Sequence, residues 1–213
     1  MFTMSTSNKA SNDSHSSASP SYHHGNLREA LIEAGLSLLE ASETADFSLR
    51  ELARQVGVSP NATYRHFASK EALMAGMAAE GFRRLGAAQA SAMMTRTEPA
   101  MGFRAAGLTY VTFARANPAL FRLMFGRFAS SHISEEMTNA GQLLFRGVTM
   151  ALGLKDDDPK AKFAAIHAWS LVHGLSHLIL DGQLDALVDD MDSLADAVLQ
   201  PSIALGQKYT GNT

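Results

Sequence analysis

The side chains best suited to chemistry lie in one short segment, SLRELARQVGVSPNATYRHFASKEAL, which runs from Ser48 to Leu73. Between residues 47 and 70, four cationic side chains accompany one carboxylate, so the local charge is +3 in a chain of net charge −3. These ionised residues are Arg50, Glu51, Arg54, Arg65 and Lys70. Cationic side chains bind phosphate oxygens, and a guanidinium can also read base edges. The segment therefore indicates a nucleic-acid surface that the overall charge conceals.

Two short helices joined by a tight turn are predicted to position these groups. Ser48 and Glu51 form a capping box, in which each side chain satisfies a backbone N–H group at the start of a helix. Gly57 follows, at a point where a left-handed residue often ends a helix. Ser59 and Pro60 then begin a second helix as its N-cap and first residue. This spacing is the helix-turn-helix plan, although a capped helix pair also suits ordinary packing.

The second helix carries side chains that would enter the major groove of DNA, where short polar groups fit. The short polar residues are Ser59, Asn61, Thr63 and His66, and Ala62 is small enough to lie against a thymine methyl group. At the far end of the helix, Tyr64, Arg65 and His66 can reach phosphate oxygens. Lys70 begins the next helix and opposes its dipole, so a phosphate is predicted to compensate it.

Apolar residues recur at helical spacing along most of the chain, and no segment alternates as a strand would. We therefore predict an all-α protein of about nine helices, with an N-terminal helix-turn-helix domain and a C-terminal helical domain. The best domain boundary is TRTEPAMG, at residues 95–102. The last helix, at about residues 190–208, contains Pro201, which should kink or interrupt it.

Composition limits the class of protein. An apolar fraction of 46% suffices for a sizeable core, and the absence of cysteine excludes disulfides and thiol catalysis. No uninterrupted apolar run approaches the ~18–20 residues of a membrane helix, so we predict a soluble, cytoplasmic protein without a membrane partner. Residues 1–21 hold eight serines and no hydrophobic run, and they are predicted to be a disordered tail.

The segment FSLRELARQVGVSPNATYRHFASKEALM, together with the preceding YHHGNLREALIEAGLSLLE, resembles the N-terminal domain of the tetracycline-repressor (TetR) family of transcriptional regulators. The resemblance covers residues 22–85 and implies a DNA-binding domain with a recognition helix at about 59–67. It implies that Arg50 reaches a base and that the start of the recognition helix lies at the groove. The DNA-contacting residues it implies are Ser48, Arg50, Ser59, Pro60, Asn61, Ala62, Thr63, Tyr64, His66 and Lys70.

Two details depart from the family pattern. Thr63 replaces the apolar residue that is common at its position, so its side chain could face either the core or the DNA. The basic N-terminal arm of the family is reduced to His23 and His24, with Lys9 more distant.

The resemblance also implies a C-terminal domain, at about residues 100–210, that dimerises and binds a small-molecule effector. AWSLVHG resembles the Trp-x-x-x-His-Gly signature of one such domain type. The segment YVTFARANPALFRLMFGRF is rich in aromatic residues and methionine, which can line an adaptable pocket but also suit an ordinary core. The predicted ligand-binding residues are Tyr110, Phe113, Phe121, Met124, Phe125, Trp169 and His173.

The resulting prediction is a homodimeric, ligand-responsive repressor that binds double-stranded DNA at a pseudo-palindromic operator, without catalysis, cofactor or metal. An activator would have the same fold. The alternative from another class is a helical enzyme or carrier, since His173, His177 and Asp181 recur every fourth residue and could hold a metal. A helix brings such residues together whatever their function.

Overall fold

The computed structural model describes residues 27–42, 46–97, 99–126, 135–151 and 159–200, which form nine α-helices and contain no strand. The helices are α1 (Leu27–Ser42), α2 (Leu49–Val56), α3 (Pro60–His66), α4 (Lys70–Met94), α5 (Pro99–Ala116), α6 (Pro118–Phe125), α7 (Glu135–Ala151), α8 (Pro159–Leu180) and α9 (Met191–Leu199). The predicted all-α class is confirmed. The predicted tail, the two histidines of the N-terminal arm and the proline of the last helix lie outside the described residues.

Local sequence signals set the starts of the helices around the turn. The hydroxyl oxygens of Ser48, Ser59 and Ser69 each accept a hydrogen bond from the backbone N–H three residues on, at 3.1, 3.2 and 3.2 Å. Gly57 ends α2 in the left-handed region, with φ of 77°, as its position predicts. The carboxylate of Glu51 makes no return bond to the N–H of Ser48, so only the serine half of the predicted capping box forms.

Helix α4 joins the two parts of the chain. It has 25 residues, about 37 Å of helix, and it packs against α1, α5, α6 and α7. A Cβ atom at Gly81 would lie 2.5 Å from the sulfur of Met124, so glycine allows α6 to approach α4 closely. Arg84 bonds both to Glu33 of α1 and to Glu80 of α4, which ties the start of the chain to α4. The segment predicted to separate the two domains, residues 95–102, overlaps α5, because this helix already begins at Pro99.

Helix α8 is long and strongly apolar. By length and composition alone, Lys162–Leu180 could cross a membrane, with a mean hydropathy of 1.3, although three histidines and two serines interrupt its apolar residues. One such helix is weak evidence for a membrane span, because long helices of soluble proteins pass the same test. Here α8 packs against α5 and α7, and it buries Ala165, Val172 and Leu175.

Candidate DNA-binding surface and effector region

Most of the predicted DNA-contacting side chains are exposed on α2, on α3 and at the caps that precede them. The exposed residues are Ser48, Arg50, Ser59, Pro60, Asn61, Tyr64 and His66, while Ala62 and Lys70 are half-buried. Arg54 and Arg65 are also exposed in this region and add positive charge. The surface therefore combines cations with short hydrogen-bonding groups, a composition suited to phosphates and base edges.

The caps also orient two of these polar groups. Because the oxygens of Ser48 and Ser59 already accept backbone N–H bonds, each hydroxyl proton remains free to donate outward. A helix start of this kind attracts anions, since unpaired backbone N–H groups and the helix dipole both favour negative charge. The two serines can thus hold their helices and contact a phosphate at the same time.

Lys70 has an aromatic partner that its position in the sequence does not indicate. Its ammonium nitrogen lies 5.1 Å from the ring centroid of Phe47, within the range of a cation–π interaction. Phe47 is itself buried, so the ring offers a fixed surface for the lysine. This contact offsets part of the unfavourable interaction between the cation and the N-terminus of α4. It also leaves the N–H groups of the ammonium available to an anion.

The structure corrects the prediction for one of the DNA-contacting residues, Thr63. Its side chain is fully buried in the core of the DNA-binding part, so including Thr63 among the DNA-contacting side chains was wrong. Its hydroxyl oxygen is buried and has no hydrogen-bond partner among the described residues. An unpaired buried hydroxyl is destabilising, because it loses its bonds to water without replacement.

Thr63→Val is therefore expected to raise the free energy of unfolding by about 1 kcal/mol, because it keeps the shape and removes the unpaired hydroxyl. Denaturant unfolding of the full chain measures this change, and DNA affinity should stay the same. Thr109→Val is the matched control, because that hydroxyl donates to the carbonyl of Ala105 at 2.8 Å and should not yield a gain. Equal effects of the two substitutions would contradict the assignment.

Five of the seven predicted ligand-binding residues form a cluster of rings where α5, α6 and α8 meet, which we call the aromatic cluster: Tyr110, Phe121, Phe125, Trp169 and His173. Neighbouring ring centroids lie 4.8–6.4 Å apart. Tyr110 and Phe121 are buried, Phe125 and His173 are half-buried, and Trp169 is 43% exposed. Met124 is buried beside Gly81, and Phe113 is half-buried against the same core without a ring contact to the cluster. The cluster is thus packed inside and open at the edge formed by α8.

Polar atoms link three members of the cluster. The indole N–H of Trp169 donates to the hydroxyl oxygen of Tyr110 at 3.3 Å, and that oxygen lies 2.9 Å from Nδ1 of His173. Burial raises the pKa of Tyr110 well above its usual value, so the phenol is protonated. Burial, and secondly the nearby His177, lower the pKa of His173. The imidazole is consequently neutral near neutral pH.

A cleft of about 530 Å³ opens elsewhere, between α5 and α9. It is lined by Leu108, Val111, Thr112, Asp192, Ser193, Ala195, Asp196, Ala197 and Gln200. None of the predicted ligand-binding residues lines it. Asp192 pairs with Arg115 and Asp196 with Arg104, so both carboxylates of the cleft are already neutralised. In the sequence, Asp192 and Asp196 are four residues apart, and this spacing places both side chains on the same face of α9.

The metal alternative finds no support in the part of the chain that the structure describes. No group of three His, Cys, Asp or Glu side chains gathers there with a geometry suited to a metal ion. Asp181 lies 3.8 Å from the guanidinium of Arg122 instead. The ring of His177 packs against His173 and Phe121, at centroid distances of 4.6 and 5.5 Å.

An all-α chain with a capped helix-turn-helix and an exposed cationic, polar surface defines a DNA-binding protein of the regulatory class. Two family models match it: bacterial regulatory proteins of the tetR family over residues 31–77, and the tetracyclin repressor-like C-terminal domain over residues 103–201. The chain belongs to the TetR family of transcriptional regulators. It is a DNA-binding regulator, not an enzyme.

Several solved structures are similar to this chain. A protein with unknown function from Rhodococcus sp. RHA1 is 31% identical, covers 89% of this chain and 98% of its own, and has a TM-score of 0.69. A tetR-family regulatory protein from Rhodococcus RHA1 is 19% identical over 87% of this chain and 97% of its own, with a TM-score of 0.59. The TetR-family regulator PfmR from Thermus thermophilus is 19% identical over 82% and 97%, with a TM-score of 0.58. The two less similar proteins share the fold.

Proposed function

We propose that this protein is a cytoplasmic, homodimeric repressor that binds a pseudo-palindromic operator and is released by a small-molecule effector. The observation that carries the proposal is the exposed cationic and polar surface on α2 and α3. In a two-fold dimer, two such surfaces would enter successive major grooves about 34–36 Å apart. Residues 22–85 would bind DNA, and residues 100–210 would dimerise and bind the effector.

Within each half-site, the residues of this surface fall into two groups, those that would contact bases and those that would contact phosphates. Arg50 is the best base reader, since an exposed guanidinium can donate two hydrogen bonds to guanine. Ser59, Pro60, Asn61 and Ala62 begin the recognition helix, which is the end that contacts base edges in this motif. Phosphates would be bound by Ser48, Tyr64, His66 and Lys70.

The dimer would form through an apolar surface on α7 and α8, which we call the α7–α8 surface. Its exposed large residues are Phe145, Phe163, Ile166 and Leu178, and Trp169 belongs instead to the open edge of the aromatic cluster. Exposed apolar surface of this extent on a single chain suits a second copy better than solvent. Gly174 also lies exposed on α8, and a Cβ atom there would meet nothing within 4 Å, so a partner helix could approach closely.

The effector would act through the aromatic cluster and α4. The Phe125 ring of the cluster packs edge-on against Phe82 of α4, with centroids 5.0 Å apart. A ligand that shifts Phe125 would therefore press on the helix whose first turn carries Lys70. Release follows if the ligand binds better to a dimer in which the two recognition helices have the wrong separation, because binding to one state shifts the equilibrium towards it.

The decisive experiment is selection of bound DNA fragments by the purified chain, followed by titration with two alanine variants. Arg50→Ala is expected to cost roughly 1–3 kcal/mol and to relax the preference at one base pair per half-site. Lys70→Ala should weaken all sequences alike and reduce the salt slope by about one unit per half-site. Arg83→Ala removes the same charge from an exposed position further along α4 and should change neither quantity.

Absence of a preferred DNA sequence in the selection would overturn the proposal. If Lys70→Ala left the salt slope unchanged, only the phosphate contact of that residue would be wrong. Transcription from a promoter that contains the selected site then distinguishes a repressor from an activator.

A further inference from the structure

Hydrogen-bond counting determines which nitrogen of His173 carries the proton. The Tyr110 oxygen receives the indole N–H of Trp169, which leaves its own hydroxyl proton to be donated. The only acceptor that the described residues offer to this proton is Nδ1 of His173, at 2.9 Å. If His173 instead donated from Nδ1, the oxygen would receive two protons and the buried phenol proton would have no acceptor. The arrangement is therefore a relay from Trp169 through Tyr110 to His173, and the imidazole proton lies on Nε2.

The opposite edge of the imidazole remains available. No described residue makes a hydrogen bond to Nε2 of His173, and Nε2 is not among the buried polar atoms without a partner. The ring is half-buried, with Nδ1 turned to the buried Tyr110. A ligand approaching the open edge of the aromatic cluster, beside Trp169, would meet an N–H donor whose position is set by the relay.

The neighbours of this donor define the chemistry it would accept. Phe121, Phe125 and Trp169 contact the imidazole through their rings, at centroid distances of 5.7, 4.8 and 5.2 Å. Among the described residues, His177 is the one ionisable group that acts on the charge of His173. The site thus presents one neutral donor of fixed position in mainly aromatic surroundings, with the imidazole of His177 beside it at a centroid distance of 4.6 Å, which suits a largely apolar molecule with a hydrogen-bond acceptor.

We propose that Trp169 and Tyr110 hold His173 as its Nε2–H tautomer, and that this N–H binds a carbonyl or carboxylate oxygen on an otherwise apolar effector. The inference rests on the proposed function, because it assigns the recognising atom of the effector site. A ligand without an acceptor would leave the buried donor unpaired on binding, so the N–H selects against it.

The first test needs neither ligand nor DNA. Long-range proton–nitrogen correlation NMR on the full chain labelled at histidine reports which ring nitrogen carries the proton, and His173→Gln assigns the signal. The expected result is protonation at Nε2 in the wild type, with a mixture of tautomers in Tyr110→Phe. Should that variant fail to fold, Trp169→Phe removes the other member of the relay. Protonation of His173 at Nδ1 in the wild type would overturn the proposal.

The second test uses two probes of equal length, benzylacetone and butylbenzene, which differ by one carbonyl group. Trp169 is the only tryptophan of the chain, so its fluorescence reports binding at the aromatic cluster directly. In His173→Phe, which keeps a ring and lacks the N–H, the preference for the ketone relative to the hydrocarbon should fall about tenfold. His167→Phe, at an exposed position on the same helix, is the control and should leave the preference unchanged.

The results of these tests distinguish failure of the His173 assignment from failure of the proposed function. An unchanged preference in His173→Phe, or a wild type that binds neither probe, would overturn the assigned donor while leaving sequence-specific DNA binding intact. Loss of DNA binding in the fragment selection would remove the proposed function and leave the tautomer result standing.

Discussion

Ile166→Glu is expected to convert the proposed dimer into a monomer and to lower the affinity for the proposed operator by about a hundredfold or more. Ile166 is 42% exposed on the α7–α8 surface, and in a two-fold interface each substitution places two carboxylates in contact with apolar surface. Burial of unpaired charge costs several kcal/mol, and each 1.4 kcal/mol is a factor of ten in affinity. A monomer also binds only one half-site, so it loses the additional affinity that a dimer obtains by binding two half-sites at once.

Sedimentation equilibrium of the free protein and titration of the selected DNA measure these two effects. Met94→Glu is the matched control, because Met94 is 83% exposed at the end of α4 and lies outside the α7–α8 surface. That variant should remain dimeric and should bind DNA as the wild type does. If Ile166→Glu stayed dimeric while retaining its affinity, the α7–α8 surface would not be the interface, and the second copy would have to bind elsewhere.

Phe121→Ala is expected to lower the free energy of unfolding by about 3–5 kcal/mol, the range for removal of a buried phenyl ring. Phe121 is fully buried, and its ring contacts Tyr110, Phe125, His173 and His177. The space left behind cannot close fully, because these neighbours are held by α5, α6 and α8. Denaturant unfolding at constant protein concentration measures the loss.

Tyr64→Ala removes an exposed aromatic side chain, whereas Phe121→Ala removes a buried one. Tyr64 is 46% exposed on α3, so its removal should change stability by no more than about 0.5 kcal/mol while it weakens DNA binding. The pair therefore tests whether an aromatic residue belongs to the core or to the DNA surface. A small effect of Phe121→Ala on stability would show that the cluster is loosely packed and that Phe121 is available to a ligand.

Much of the DNA-binding surface was predictable because its signals are local. Ser48, Ser59 and Ser69 begin their helices through hydrogen bonds that reach only three residues along the chain. The side chain of Thr63 was not predictable, because α3 has only seven residues and too few apolar positions to define its inward face. The ligand-binding set was predicted from composition and, for Trp169 and His173, from the resemblance to the Trp-x-x-x-His-Gly signature. Neither source distinguishes residues that line a pocket from core residues.

The sequence by itself determined the all-α class, the starts of the helices around the turn and the concentration of positive charge there. These features depend on interactions within one or two helical turns. Only the tertiary structure decided that Tyr110 would meet His173, 63 residues further on, and that Asp192 would pair with Arg115. Such contacts depend on how whole helices pack, and helical periodicity indicates that a face is buried without indicating which helix covers it.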